Sequence, residues 1–295
     1  MIAVLATPVQ QSRRVPDFLI IGAPKSGTTS LANALASHRE IYIPTIKELS
    51  FFDSNWERGL DWFHDYFADA RSGQLCGEAT PTYLAFPAAA VRIAAVNDRC
   101  KLIILAREPV RRAQSHYWFR WSTGRERRTI DEVIDDELHS TEAFHDGYLL
   151  RHGMYARNLR EYRRRFPASH IHMVLFEDMV ASPDAMMQAC LSFLGVTSVP
   201  LALAHDNPTR EPRSLPLVRA VYRIATYQGA MKHALRAVVP EARRRTLRSA
   251  LYAGLSRPGT QPLLAASTRA RLATVFRDDT ITLRDELRRP TLWEK

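Results

Sequence analysis

Three stretches of the chain are apolar almost throughout: "DFLIIG" (17–22), "KLIILARE" (101–108) and "HIHMVLFED" (170–178). Runs this short, bounded by turn residues, predict strands buried on both faces of a parallel sheet. Between them the apolar positions recur at helical spacing. In "TTSLANALASH" (28–38), Leu31, Ala34, Leu35 and His38 fall on one face. The same periodicity predicts helices over 87–97, 109–121, 129–140 and 154–166. In "SPDAMMQACLSFLG" (182–195), Ser182 stands at the cap position, Pro183 at the first helical position and Gly195 at the end. Strands alternating with helices of this length predict an α/β fold, a three-layer sandwich with helices on both faces of a central parallel sheet.

Beyond residue 205 the pattern changes. "HDNPTREPRSLP" (205–216) reads as a loop, followed by basic helices over 216–238 and 240–255 and a turn "SRPGTQP" (256–262). A last amphipathic helix lies within 263–287, with a break expected near Asp278 and Asp279. The organisation expected is a tail (1–15) and a single domain (16–295). Within that domain, 205–262 forms a basic helical insertion or lid, part of a helical C-terminal elaboration. A chain of 295 residues can bury a substantial core in one such domain.

Charge narrows the partners. The formal net charge is +10, and residues 210–257 hold 11 Lys/Arg against 2 Asp/Glu. Such an excess suits an anionic ligand, an anionic acceptor or a lipid surface, and peripheral membrane contact through 214–255 is one expectation. Zinc-finger spacing and aromatic RNA-binding strand motifs are missing, so nucleic acid is not an expected partner. No apolar run approaches the ~18 residues of a membrane span. "MIAVLATPVQQSRRVPD" has no basic residue ahead of its apolar stretch, which favours a tail over a signal peptide. Cys76, Cys100 and Cys190 are far apart and form no C-x-x-C, which predicts buried apolar thiols in a reducing, cytoplasmic setting. The Arg- and Ala-rich composition reads as bacterial.

The chemistry begins at "GAPKSGTTSL" (22–31). A nucleotide triphosphatase loop carries its lysine after the second glycine, whereas Lys25 precedes Gly27. A turn between a buried strand and a helix aims backbone N–H groups at one point, and the helix N-terminus adds partial positive charge. Lys25 supplies a full charge, and Ser26, Thr28, Thr29 and Ser30 supply hydroxyls, a set suited to a compact, multiply charged anion. A triphosphatase would also need an aspartate at a strand end to hold Mg²⁺. The second strand ends in "LAREP", which puts Arg107 at its tip, a guanidinium suited to a second phosphate. Ser115 follows about two helical turns on, within reach of the same phosphate.

Here the sequence resembles a family. "PKSGTT" is similar to the 5′-phosphosulfate loop of sulfotransferases, and "REPVRRAQSHY" to their 3′-phosphate motif, an arginine ending a strand and a serine eight residues on. The resemblance extends through "KELSFFD", "GEATPTYL", "YARNLREYRRRFP" and "HIHMVLFEDMVASP". It is nearest to the carbohydrate sulfotransferases of the heparan sulfate type and their bacterial relatives. It implies a donor, 3′-phosphoadenosine 5′-phosphosulfate (PAPS), with two separated anionic ends, and no metal. It implies that Lys25, Ser26, Gly27, Thr28, Thr29, Ser30, Arg107 and Ser115 bind the donor, with Arg257 of the 256–262 turn closing on it. In that family a glutamate in an E-x-x-F-F-D run is the catalytic base, a role that falls here on Glu48. Lys25 would stabilise the leaving group, and Lys47 would assist at the sulfuryl oxygens. Glu78 and His116 stand as alternative bases.

Two departures matter. Ala79 stands where the 3-O-sulfotransferases carry a substrate-binding lysine, and Gly259 stands where their closing turn carries an arginine. The acceptor expected is a hydroxyl of a carbohydrate, glycolipid or secondary metabolite. Two other readings stand beside the transferase: a P-loop kinase or NTPase-like enzyme, and a non-catalytic anion- or membrane-binding protein.

Overall fold

The structure is a computed structural model that describes residues 14–46, 48–139, 147–204, 210–226, 250–251, 254–290 and 292–294. Lys47, most of the tail and the whole of the basic stretch 227–249 lie outside the described residues.

Five parallel strands form the central sheet: β1 (Phe18–Gly22), β2 (Ile41–Tyr42), β3 (Leu75–Ala79), β4 (Lys101–Ala106) and β5 (Ile171–Leu175), in the order β2-β3-β1-β4-β5. β1 lies at the centre, with Phe18 beside Gly77 of β3 and Lys101 of β4. All its residues are buried, and they alternate between two cores as a pleat requires. Leu19 and Ile21 join Leu102 and Ile104 under α3 (Pro87–Val96), α6 (Tyr155–Arg163) and the end of the chain. Phe18 and Ile20 join Ile103 and Leu105 under α1 (Thr28–Ala36) and α8 (Pro183–Leu194). A third cluster joins α4 (Pro109–Ser122), α5 (Ile130–His139) and α10 (Ala266–Leu287) through Val110, Val133, Leu272 and Phe276. The short helix α2 (Gly59–His64) precedes β3, and α7 (Phe176–Ala181) follows β5 at once.

The expected three-layer architecture is the one found, with corrections at element level. β3 escaped the apolar pattern because it is only "LCGEA". Its burial comes from having strands on both sides, and Gly77 leaves room for the Phe18 ring, whose Cζ would lie 2.1 Å from an added Cβ. The third strand stops at Leu175, because Phe176, Glu177 and Asp178 already turn in helix. α10 runs unbroken through Asp278 and Asp279. Asp279 does not disrupt its own helix; its carboxylate accepts the N–H groups of Ala156 (3.0 Å) and Arg157 (2.8 Å), capping α6.

The loop expected over 205–216 contains a strand, β6 (Arg210–Pro212), which pairs antiparallel with β7 (Ser256–Pro258) from the far side of the basic stretch. Glu211 faces Arg257 across this pair. Between them, α9 (Leu215–Thr226) begins the basic segment and packs on the turn after α4. Val218 is buried, and a side chain on Gly124 would meet the Arg219 backbone at 3.1 Å.

Candidate active site

β1 delivers the chain to the carboxyl edge of the sheet, where parallel α/β folds place their ligands. Gly22 must be glycine, since a Cβ there would lie 2.5 Å from Leu84 Cβ. The turn that follows is tied to the neighbouring strand by the Ala23 N–H, which donates to Leu105 O at 2.7 Å. Lys25 (φ 71°) and Gly27 (φ 92°) both take the left-handed conformation, which bends the turn tightly into α1. Ser26 and Thr28 are buried, and Thr29 and Ser30 sit half-buried in the first turn of α1. No side chain caps α1 and no acid stands in its first turn. The positive end of its dipole is therefore left for a ligand.

The second anion motif is built from "REP". Glu108 caps α4, its carboxylate accepting the N–H groups of Val110 (2.9 Å) and Arg111 (2.8 Å), and Pro109 fills the first helical position. This leaves Arg107 at the strand tip. Its backbone is held from α6, where the Tyr155 phenol accepts from Arg107 N (3.2 Å) and donates to Arg107 O (2.8 Å). Its guanidinium lies over the Phe176 ring at 4.5 Å and donates to the Lys25 carbonyl at 3.2 Å. The two anion motifs thus touch.

Electrostatics favours an anion between them. Burial, then Arg107, push the Lys25 ammonium down to about 8, with Glu48 pulling the other way. Burial likewise lowers Arg107. Two half-buried cations that destabilise each other are relieved by a shared negative ligand. The Lys25 ammonium rests 4.5 Å above Phe119 of α4, a cation–π contact that holds it over the site. Ser115 is buried on α4, and its hydroxyl accepts from Gln261 Nε2 at 3.2 Å. The 256–262 turn therefore reaches α4 through Gln261. Arg257 from the same turn is exposed and pairs with Glu211 at 3.5 Å. No sequence signal marked Gln261, because a glutamine in a Pro/Gly turn has no characteristic spacing.

Glu48 sits at the surface of the loop after α1, close enough to Lys25 to raise its pKa. Lys47, expected beside it, lies outside the described residues. Glu48 (φ 55°) and Ser50 (φ 51°) are both left-handed, a costly conformation for residues with side chains. The loop is held in it by the segment 78–83. Leu49 N–H donates to Glu78 Oε1 at 3.0 Å, Ser50 N–H to Thr80 Oγ1 at 3.1 Å, and the N–H groups of Phe51 (2.8 Å) and Phe52 (3.3 Å) to the Tyr83 phenol. Glu78 is therefore not an open carboxylate facing the cleft. It is 2 % exposed, and burial pushes it up to about 8 against the hydrogen bonds of Thr80 and Leu49.

His116 is buried, its Nδ1 3.2 Å from the fully buried Arg112 guanidinium. Burial and then Arg112 hold its pKa well below the usual histidine range, which makes it a poor base. Trp118 and Trp121 stack on each other at 4.9 Å, and Tyr117 donates to Arg128 O at 2.9 Å. Among the described residues, no group of three or more His, Cys, Asp or Glu side chains is arranged to hold a metal ion.

Residues 15–224 match the model of the sulfotransferase domain family. The human heparan sulfate glucosamine 3-O-sulfotransferase 6 is 32% identical over 195 residues, covering 63% of this chain and 54% of that protein. Human heparan sulfate glucosamine 3-O-sulfotransferase 3B1 is 29% identical over 188 residues, covering 64% of this chain and 48% of that protein. The chain thus spans about half the length of the curated relatives it matches. A sulfotransferase structure from Alicyclobacillus acidocaldarius superposes with TM-score 0.66 at 23% identity, covering 94% of this chain and 97% of that one. Mouse sulfotransferase SULT7A1 complexed with PAP superposes with TM-score 0.54 at 13% identity, covering 95% of this chain and 89% of that one. Both share the fold.

These relatives correct the expected cytoplasmic setting. One of them, from Dictyostelium discoideum, 39% identical over 108 residues (36% of this chain, 23% of that protein), is a membrane-associated sulfotransferase. The inference from cysteines fails for a physical reason: Cys76, Cys100 and Cys190 are buried among core side chains, where a thiol serves as a small apolar group in any compartment. Among the described residues, no helix is long and apolar enough to cross a membrane. The curated relatives named here are eukaryotic, so they lend nothing to a bacterial source.

Proposed function

The chain belongs to the sulfotransferase domain family, and on that footing we propose that it transfers a sulfuryl group from PAPS to an acceptor hydroxyl by in-line displacement. The observation that carries this reading is the contact between the two anion motifs, with the Arg107 guanidinium on the Lys25 carbonyl at 3.2 Å. Together they offer fixed positive charge to a donor with two anionic ends, in a partly desolvated place where such charge acts strongly. Lys25, the hydroxyls of Ser26, Thr28, Thr29 and Ser30, and the N-terminus of α1 would hold the 5′ end. Arg107 and Ser115 would hold the 3′-phosphate, with Gln261 rather than Arg257 bridging from the closing turn.

In the reaction the acceptor oxygen bonds to sulfur as the bond from sulfur to the phosphate oxygen breaks, and the acceptor proton leaves to a base. Glu48 is that base: it is the exposed carboxylate nearest to Lys25 by charge coupling, whereas Glu78 is buried and His116 is held neutral. Lys25 offsets the charge that develops on the leaving phosphate.

The acceptor we propose is a carbohydrate-type hydroxyl. The 3-O-sulfotransferase relatives act, by their names, on heparan sulfate glucosamine, and Ala79 removes one cation from the region where such an acceptor would lie. The test is direct. PAP (3′-phosphoadenosine 5′-phosphate) should raise the melting temperature, ATP with Mg²⁺ should not, and radiolabelled PAPS should label an acceptor in a panel of glucosamine oligosaccharides, glycolipids and simple alcohols. Stabilisation by ATP with Mg²⁺ and not by PAP would overturn the reading.

A further inference from the structure

The loop 48–53 presents four successive backbone N–H groups, those of Leu49, Ser50, Phe51 and Phe52, to oxygens of one short segment. Glu78 takes the first, Thr80 the second and Tyr83 the last two. Successive N–H groups turned to one side, with left-handed residues among them, form the kind of backbone concavity that usually captures an anion. Here side-chain oxygens of the same chain occupy it. The arrangement is tied further at its rim, where Thr82 Oγ1 donates to Asp53 Oδ2 at 2.5 Å and Arg92 donates to Phe52 O at 2.9 Å. It is also rigid from behind. Thr80 donates to the same Glu78 oxygen that accepts from Leu49, Tyr83 is wholly buried, and Tyr162 of α6 donates to Tyr83 O at 2.7 Å.

We propose that Glu78, with Thr80 and Tyr83, is a positioning latch for the base: it fixes the left-handed backbone at Glu48 and so sets where that carboxylate meets the acceptor hydroxyl. The proposal rests on the assignment of Glu48 as base. Neither Glu78 nor Tyr83 touches the donor loop in any hydrogen bond described here, so the latch acts on the acceptor side of the reaction. A buried carboxyl is an expensive way to hold one amide, since an amide oxygen or a water would suffice for packing alone. Glu78 Oε1 does more than hold one amide: it accepts from Thr80 as well as from Leu49 and, through Thr80, holds Ser50. It thereby fixes the amides on both sides of the Leu49 side chain.

Two variants test it. Tyr83→Phe keeps the ring that packs on Phe52 at 5.5 Å and removes only the hydroxyl; Glu78→Ala removes the other end of the latch. The readouts are hydrogen exchange of residues 48–53, PAP affinity by calorimetry, and PAP released from PAPS with water as the only acceptor. The latch predicts exchange at 49–52 at least tenfold faster, PAP affinity within twofold of wild type, and release at least tenfold slower. It also predicts no additional loss of release when either change is added to Glu48→Gln. Tyr83→Phe carries the test alone if Glu78→Ala does not fold. Exchange unchanged in a folded variant overturns the proposal. So does release that stays at the wild-type level while Glu48→Gln slows it, because then the base is Glu48 and nothing depends on the latch. So does an equal fall of release and PAP affinity, which would mark general damage. If Glu48→Gln itself leaves release unchanged, the base assignment fails first and the latch falls with it.

Discussion

Arg107, just past the end of β4, donates a hydrogen bond to the carbonyl oxygen of Lys25 at 3.2 Å, although 82 residues separate them in the chain. The residue proposed for the 3′-phosphate thus helps shape the loop proposed for the 5′ end. Lys25→Ala and Arg107→Ala should each weaken PAP binding by ~1.5–3 kcal/mol, the usual cost of losing a charge-assisted contact. The double variant closes a cycle that measures how far the two sites are coupled. Calorimetry on the four proteins measures this; unchanged affinity in both single variants would remove the donor assignment.

Lys25 should also cost stability until a ligand arrives. Its folded pKa is about 8 against 10.5 for the ordinary side chain. A lysine whose pKa is lowered on folding destabilises the native state fully below pH 8, and the loss is recovered as pH rises from 8 to 10.5, where the unfolded chain binds more protons. Lys25→Met should therefore melt higher than wild type at pH 7, with the gap narrowing above pH 8. In the wild type, PAP affinity should fall as pH rises through 8. A lower melting temperature for Lys25→Met at pH 7 would count against this account.

Glu48→Gln should keep PAP affinity and lose turnover by 10²-fold or more, since only proton removal is lost. Steady-state kinetics on the acceptor found by the panel, beside calorimetry with PAP, separates the two. Near wild-type turnover would move the base elsewhere.

Glu78 gives a pH dependence of opposite sign to an ordinary carboxylate. Its folded pKa of about 8 lies above the usual 4.5. The native state then binds more protons than the unfolded chain between pH 4.5 and 8, so stability is full below that window and declines as pH rises through it. The total is on the order of a few kcal/mol at about 1.4 kcal/mol per unit. Glu78→Gln should flatten this decline, and urea melts at pH 5, 6.5 and 8 measure it.

The basic helix α9 makes a prediction about the acceptor. Val218 is buried and Arg219 half-buried against the turn at Gly124, whereas Arg223 is exposed. Replacing Arg219 and Arg223 with alanine should raise the KM for an anionic acceptor, leave PAP affinity alone and make the salt dependence of KM shallower. Loss of binding to anionic vesicles with unchanged kinetics would instead favour a lipid surface.

The sequence carried the frame of the sheet because β1 and β4 are buried on both faces and must be apolar throughout. It hid β3, where Gly77 and Glu78 break the apolar run for reasons that lie on other elements: the Phe18 ring and the Leu49 amide. The phosphate loop and Arg107 were legible because their spacing is local. Gln261, Tyr155 and Asp279 were not, because Gln261 and Asp279 act across more than a hundred residues and Tyr155 acts on the backbone of Arg107, 48 residues away. The charge of 210–257 was visible, but the strand pair that brackets it was not, since "REP" and "SRP" each contain a proline and are only three residues long.

That strand pair has a consequence for how the chain can change over time. The basic segment follows Pro212 and precedes Ser256, and those two residues face each other. Paired residues on adjacent strands lie only about 5 Å apart. The sheet therefore does not dictate the length of the chain that joins them, and each doubling of that length costs only about 0.6 kcal/mol in closure entropy. The donor side of the molecule admits no such freedom, because Gly22, Lys25 and Arg107 are locked by backbone contacts. Grafting the segment between relatives, with Pro212 and Ser256 as the splice points, tests whether it governs acceptor preference.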